Sequence, residues 1–495
     1  MPSPVHSRDL YTVEQVRALD RRAIDELGVP GVELMRRAAW AGLSSLRRHW
    51  PQAHRIAVHC GPGNNGGDGF LLATLAREAG LQVEVLALAD AARGDAAEAR
   101  RAWESTGGAV HRWAGEGGLP RVDVHVDALY GTGLRRAPEA VAAALIERIN
   151  ADACPVLALD VPSGLDADTG RCPGVAIRAE ATVSFIAAKR GLCTGQAADH
   201  TGRLELDMLG LPDTLWQDIA PDAQLLQPDH LPPRARAAHK GANGHVLAIG
   251  GDHGTAGAIR LCGEAALRAG AGLVSVATRA EHLLALNAAR PELMAHAVDG
   301  PQALQALLER ASVLALGPGL GQHAWGHALW LTALDAGLPL VLDADGLNLL
   351  AREPRRLAQP AVLTPHPGEA ARLLHQDVAQ VEADRYAAVR ALAERYGAVA
   401  VLKGAGSLVA DPAGRVAVCP WGNPGMASGG MGDLLTGVVA ALLAQGCDAW
   451  DAACLGVGLH ARAGDLAARQ GERGLLAGDL LGPLRTLGNG LETDA

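Results

Sequence analysis

The chain has 495 residues, of which 49% are hydrophobic and 20% charged. Such a mix supplies sizeable buried cores and excludes a mostly disordered chain. The net charge is only −10 and no basic run stands out, which excludes a dedicated nucleic-acid binder.

No apolar stretch approaches the roughly 20 residues that span a bilayer. The best candidate, Leu434 to Cys447, is short and broken by glycine. Arg8, Asp9 and Glu14 stand where a secretory signal would be apolar. A cytoplasmic protein with neither membrane nor nucleic-acid partners is expected. The eight cysteines never form C-x-x-C, so they read as reduced, mostly buried small residues.

In chain order, Thr12-x-x-Gln15 is a capping box that opens a helix carrying Val13, Val16, Leu19 and Ile24. Strands are then expected at Arg55–Cys60, Gln82–Leu88, Val122–Leu129, Pro155–Asp160 and Ala181–Ala187. Helices fall at Leu71–Ala79, Asp95–Ser105 and Pro138–Ile149. The segment from Leu211 to Gly244 holds five prolines between Pro212 and Pro233 and neither periodicity, so a linker is expected. Beyond it, strands are expected at His245–Ile249, Gly272–Ala277, Val313–Leu316, Leu338–Leu342, Ala361–Leu363 and Ala398–Leu402, with helices between. The fold class is α/β: two doubly wound domains, at 1–222 and 236–495, joined by a Pro-rich linker at 223–235.

In such sheets ligands sit beyond the carboxyl ends of the strands. Two composition biases sharpen the search there. Glycine is 61 of 495 residues, about 12% against a usual ~7%. Only Lys189, Lys240 and Lys403 among the 44 basic residues are lysine, which makes each a candidate for a place where a compact ammonium is needed.

The strand Arg55–Cys60 runs into GPGNNGGDGF, residues 61–70. Gly61-x-Gly63-x-x-Gly66 matches a dinucleotide fingerprint, yet Asp68 would repel a pyrophosphate in the first helical turn. The next strand ends carry Asp127, with Gly131-Thr132-Gly133 and Arg135 placed to meet phosphates, and then Asp160 to Ser163. Asn65, Asp127 and Ser163 are hard oxygen ligands suited to an alkali or alkaline-earth cation. Asp160 and Lys189 form an acid/base pair candidate.

The motifs GNNGGDGF, VDALYGTGL and LDVPSGLDADTG resemble the YjeF N-terminal domain, the NAD(P)H-hydrate epimerase family, over roughly residues 10–215. The resemblance implies a Rossmann-like three-layer sandwich. It implies hydrate binding by Asn64, Asn65, Gly66, Gly67 and Asp68, by Gly131, Thr132, Gly133, Leu134, Arg135, Arg136 and Ala137, and by Asp160. It further implies a potassium ion on Asn65, Asp127 and Ser163, with Asp160 catalytic and Lys189 its partner.

In the second half, Lys240 precedes a strand, Gly317-Pro-Gly319-Leu-Gly321 follows one, and Asp343-Ala-Asp345-Gly346 reads as a helix cap. His366 stands between two prolines, and Lys403 to Ser407 follow a strand. The decisive piece is Ser428-Gly429-Gly430-Met431-Gly432-Asp433, a glycine run opening an apolar helix. Its free N–H groups make an anion hole, and Asp433 in the first turn can accept a proton from an attacking hydroxyl. The lysine of a P-loop is missing.

GGMGDLLTG resembles the ribokinase superfamily. Together with HKGANG, GPGLG, TPHPGE and KGAGS, it resembles more narrowly the ADP/ATP-dependent NAD(P)H-hydrate dehydratase family over roughly residues 235–485. That resemblance implies nucleotide binding by Lys403, Gly404, Ala405, Gly406, Ser407 and Gly432. It implies hydrate binding by Ala258, Gly319, His366 and Asp433, with Asp433 catalytic. For fused chains of this kind it implies ADP with magnesium, although the residues themselves do not separate ADP from ATP. The expected protein is a nicotinamide-nucleotide repair enzyme working on NADH and NADPH hydrates, and a homo-oligomer. Two rivals remain at this point: a small-molecule kinase, and an N-terminal domain that binds without catalysis.

Overall fold

The computed structural model describes residues 8–89, 94–115, 117–134, 136–228, 231 and 233–491. The chain divides into two compact units, Met1–Gln224 and Leu225–Ala495.

Unit 1 is built on a seven-stranded sheet, all parallel, in the spatial order Val110–Arg112, Gln82–Ala87, Arg55–Cys60, Val124–Ala128, Val156–Leu159, Ala181–Phe185, Arg203–Asp207. The helices Gly31–His49, Asn64–Glu78 and Asp95–Ser105 cover one face, where Leu34, Phe70, Leu72 and Trp103 are buried. Helix Ala140–Ala151 covers the other through Leu145, Ile146 and Ile149. The strand order reverses between Arg55–Cys60 and Val124–Ala128, so the crevice of a doubly wound sheet opens beyond these two strand ends.

The helix after the first of these strands starts at Asn64, inside the glycine-rich stretch, seven residues earlier than the apolar spacing indicates. Packing is the reason. A Cβ at Gly66 would meet the Gly61 carbonyl at 2.0 Å, and one at Gly69 would meet Ala128 Cβ at 2.6 Å. Small residues let this helix lie close on its strands. Asp68 therefore opens the second turn, not the first.

The expected linker also needs correction at its start. Asp9 and Leu10 pair antiparallel with Gln224 and Ala223, and Asp213–Trp216 forms a 3₁₀ turn that buries Leu215 and Trp216. Proline density breaks helices but leaves edge pairing intact. The capping box at Thr12 forms as expected, with Gln15 N–H donating to Thr12 Oγ1 at 3.2 Å and Thr12 N–H to Gln15 Oε1 at 2.8 Å.

Unit 2 orders its strands Met294–Ala297, Leu273–Thr278, His245–Ile249, Val313–Leu316, Leu340–Leu342, Ala361–Leu363, Val399–Leu402, Leu408–Ala410, Val416–Val418. The first seven run parallel and the last two antiparallel. Helix Met431–Ala444 is buried almost all round, as its run of Leu, Val and Ala requires. It packs on helix Ala256–Arg268 so closely that a Cβ at Gly437 would meet the Cys262 carbonyl at 2.0 Å. Among the described residues no helix is long and apolar enough to cross a membrane.

Candidate functional site

In unit 1 the reversal point gathers three strand ends. Asp127 is fully buried and accepts the Ser163 hydroxyl at 2.6 Å, the Ser163 N–H at 2.8 Å and the Leu129 N–H at 3.1 Å. The Tyr130 N–H donates to Ser163 Oγ at 2.8 Å, and Asn65 Nδ2 donates to the carbonyls of Tyr130 at 2.9 Å and Leu159 at 3.1 Å. The three expected cation ligands thus meet around Tyr130. Asn65 Oδ1 is buried with no hydrogen-bond partner. A buried orphan acceptor beside a buried carboxylate is the donor chemistry a desolvated cation needs. Burial pushes the Asp127 carboxyl up to about 6, against the pull of its three N–H and O–H donors.

Asp160 takes a left-handed backbone (φ 65°), uncommon for a residue with a side chain, while its N–H donates to Val183 O at 2.7 Å. Lys189 is 1% exposed and ion-paired to Asp160 Oδ1. Its ammonium also donates to Phe185 O at 2.9 Å and Ser184 Oγ at 3.0 Å. The other carboxylate oxygen, Oδ2, faces Gly131, where an added Cβ would stand 3.1 Å away.

Asp68 lies close enough to feel Asp160. Burial first, then the charges of Asp160 and Asp20, hold its carboxyl well above the usual range. Asp20, on helix Val13–Asp25, is raised by burial and by Asp160 in turn. Sequence reasoning missed Asp20, which carries no local signal.

Asn64 is exposed at the crevice, whereas Gly66 and Gly67 are buried beneath it. Thr132, Gly133 and Leu134 form the turn after Gly131, and Ala137 is exposed. Arg136 pairs with Glu139 at 3.0 Å on the open surface. Arg135 lies outside the described residues.

In unit 2 the second set converges. Lys403 Nζ is 2.8 Å from Asp343 Oδ1, and Thr436 Oγ1 donates to Asp343 Oδ2 at 2.9 Å. Glu369 Oε2 lies 3.9 Å from the same ammonium. Asp343 is not the side-chain helix cap that its sequence suggests; it makes no cap bond, because Lys403 and Thr436 take its oxygens. Burial opposes ionisation of Asp343, yet Lys403 overcomes it and holds the carboxyl below its usual value.

Asp433 stands in the first turn of helix Met431–Ala444, after Gly430 at φ 91°. Burial, then the charge of Asp343, pushes the Asp433 carboxyl up to about 7. A Cβ at Gly432 would meet Lys403 Nζ at 3.1 Å. The helix start, the lysine and the acids therefore share one pocket.

His366 caps helix Pro367–Leu374 in a capping box with Glu369, its Nδ1 accepting the Gly368 N–H at 2.9 Å. Burial, then the charge of Lys403, lowers the pKa of its half-exposed ring. Thr255 Oγ1 donates to Gly319 O at 2.8 Å, which sets Gly319 beside the helix start bearing Ala258. Ser407 closes its turn on Gly404 O at 2.9 Å, leaving Gly404 and Ala405 exposed. Arg385 braces this strand end through Leu402 O at 3.3 Å and Lys403 O at 3.2 Å. Lys240 is an exposed turn residue.

Fold and sites together define a two-site α/β enzyme, each site a carboxylate–lysine pair beyond the strand ends of a doubly wound sheet. A family model described as "YjeF-related protein N-terminus" matches residues 31–191, and one described as NAD(P)H-hydrate dehydratase matches 246–484. The chain is 47% identical to a bifunctional NAD(P)H-hydrate repair enzyme of Coxiella burnetii over 97% of its own length and 99% of the relative's. It is 47% identical to the one from Escherichia coli, over 98% and 95%. A ribokinase-like superfamily protein from Enterococcus faecalis, 30% identical with a TM-score of 0.50, aligns with 53% of this chain and 93% of its own. The chain belongs to the family of bifunctional NAD(P)H-hydrate repair enzymes, which counts against the small-molecule kinase rival.

Proposed function

We propose that unit 1 interconverts the 6R and 6S hydrates of NADH and NADPH, and that unit 2 dehydrates the 6S hydrate with ADP. The observation that carries this reading is the paired geometry: Asp160 on Lys189 in one unit, and Asp433 near Lys403 at a helix start in the other.

In unit 1, Asp160 Oδ2 takes the hydroxyl proton as the carbinolamine C–N bond opens to an aldehyde, and returns it when the nitrogen re-adds to the other face, while Lys189 holds Oδ1 in place. Asn64, Asn65, Asp68 and the residues from Gly131 to Ala137 bind the rest of the hydrate; Gly66 and Gly67 serve by letting their helix approach. The donor set of Asn65 Oδ1, Asp127 and Ser163 Oγ fits a potassium ion. When bound, that ion supplies positive charge for the phosphate-bearing part of the ligand.

In unit 2, Asp433 accepts the proton of the hydrate hydroxyl as its oxygen attacks the terminal phosphoryl of ADP. The helix N–H groups steady the transferring group. AMP remains, the phosphorylated hydrate loses phosphate and a proton from the adjacent ring carbon, and NAD(P)H is restored. Ala258, Gly319 and His366 line the hydrate's side, and Lys403 to Ser407 with Gly432 line the nucleotide's, which enters with magnesium. The free cysteines suit a reducing cytoplasm. Self-association into a homo-oligomer is expected.

The test is recovery of dihydronicotinamide absorbance from a mixed-epimer NADH hydrate with ADP, magnesium and potassium. Nearly complete recovery, faster than spontaneous epimerisation allows, is expected. Recovery that stops at the 6S fraction would make unit 1 a binding module, and none with ADP or ATP would remove the reading altogether.

A further inference from the structure

At the opposite ends of the unit-1 strands, away from Asp160, a second group of ligating side chains converges. His125, near the start of strand Val124–Ala128, is fully buried. Asp152 and Cys154 lie in the turn between helix Ala140–Ala151 and strand Val156–Leu159. His125 Nε2, a carboxylate oxygen of Asp152 and Cys154 Sγ all lie within 4.8 Å of one another. The proposed reactions use none of them.

Within the cluster the Asp152 carboxylate attracts the His125 ring and the Cys154 side chain, at separations that leave the ring nitrogen unsatisfied. His125 Nε2 is buried without a hydrogen-bond partner, and its 3.9 Å separation from Asp152 Oδ2 is too long for one. An orphaned buried ring nitrogen is costly, so something is expected to satisfy it. The other ring nitrogen, Nδ1, lies 3.0 Å from Nε2 of buried His59. In the tautomer where His125 Nδ1–H donates to His59 Nε2, the lone pair of His125 Nε2 faces Asp152 and Cys154; in the other, the Nε2 proton faces them and must leave before an ion binds. Metal-ligating histidines are held in the first way, through their second nitrogen. Asp152 Oδ1 is already engaged by the Cys154 N–H at 3.0 Å, which leaves Oδ2 for the cluster. Arg55, whose charge reaches Cys154, is neutralised by Asp123 at 2.7 Å.

We propose that His125, Asp152 and Cys154 bind a divalent, borderline-soft cation of the zinc type, with water as the fourth ligand. The mixed nitrogen, sulfur and oxygen set suits such an ion and not calcium or magnesium. Metal–ligand lengths of about 2.0–2.3 Å require the three atoms to draw together. Asp152 and Cys154, on the solvent side, can rotate to do so. The Cys154 thiol now donates to Val122 O at 3.1 Å. On binding, its sulfur forms the metal bond and its proton leaves to solvent. The ion would tie the helix–strand turn to the sheet.

The test titrates the metal-free full-length chain with Co²⁺ and displaces it with Zn²⁺. One equivalent of Co²⁺ with a near-ultraviolet thiolate-to-metal band is expected. Cys154→Ser should abolish the band, and Asp152→Asn should weaken affinity roughly tenfold or more. Cys172→Ser, outside the cluster, should change neither. Asp152→Asn alters a partly exposed side chain, so it gives a second reading should Cys154→Ser unfold. A folded wild-type chain without the band, a band that survives Cys154→Ser, or an affinity unmoved by Asp152→Asn would each overturn the site.

Discussion

Lys403 Nζ lies 2.8 Å from Asp343 Oδ1 in the unit-2 pocket, with Thr436 Oγ1 on the second oxygen at 2.9 Å. The side chains are 21% and 3% exposed, so this is largely a buried pair. Removing one partner of a buried pair costs about 3–5 kcal/mol, and Glu369 at 3.9 Å keeps part of the compensation for Lys403. Asp343→Ala should therefore lower the stability of unit 2 by about 3 kcal/mol, read by urea denaturation. Asp343→Asn, which keeps the shape and the Thr436 contact, should lose less stability while still impairing dehydration. Equal stability in wild type and Asp343→Ala would show that the pair contributes nothing.

The pH profile of dehydration should carry the signature of Asp433. Its carboxyl is raised to about 7 by burial and by Asp343. A base works only when deprotonated, so kcat/KM should climb as pH rises through about 7 and level off above it. Asp433→Asn should lower the plateau by roughly 10²–10⁴-fold and remove the limb. A limb that persists in this variant would assign the titration to another group.

Epimerisation should depend on a monovalent cation. Asn65 Oδ1 is a buried orphan and Asp127 a buried carboxylate beside it. At constant ionic strength the rate should rise with potassium and fail to rise with lithium, whose tight hydration shell this pocket cannot replace. Ser163→Ala removes one oxygen and should raise the potassium concentration needed for half activation. A rate indifferent to the cation would reduce the cluster to a structural one.

Gly61 offers a steric test. A Cβ there would stand 1.7 Å from the Leu129 carbonyl, a clash that backbone alone must relieve. Gly61→Ala should destabilise unit 1 by roughly 1–3 kcal/mol and depress epimerisation, while dehydration of the 6S hydrate persists. Loss of both activities together would mean that the damage does not stay within unit 1.

Much of this was legible because the chemistry follows strands directly. In a chain whose cations are nearly all arginine, two of three lysines are buried or largely so and paired to an aspartate: Lys189 on Asp160 and Lys403 on Asp343. The third, Lys240, is plain surface. Asp343 misled because a helix-cap sequence is local, whereas its true partner is sixty residues away in sequence. The helix start at Asn64 was hidden because glycine weakens helix propensity, and only tertiary packing shows why glycine is needed there. Arg385 and Asp20 carried no local signal at all.

The most direct measurement uses two single variants, Asp160→Asn and Asp433→Asn, on mixed-epimer NADH hydrate with ADP. Alone, Asp160→Asn should stop at the 6S fraction and Asp433→Asn should restore nothing. Mixed in one tube, they should recover both epimers, because each contributes the site that the other lacks. Full recovery by Asp160→Asn alone, or none from the mixture, would contradict the assignment of one carboxylate to each reaction.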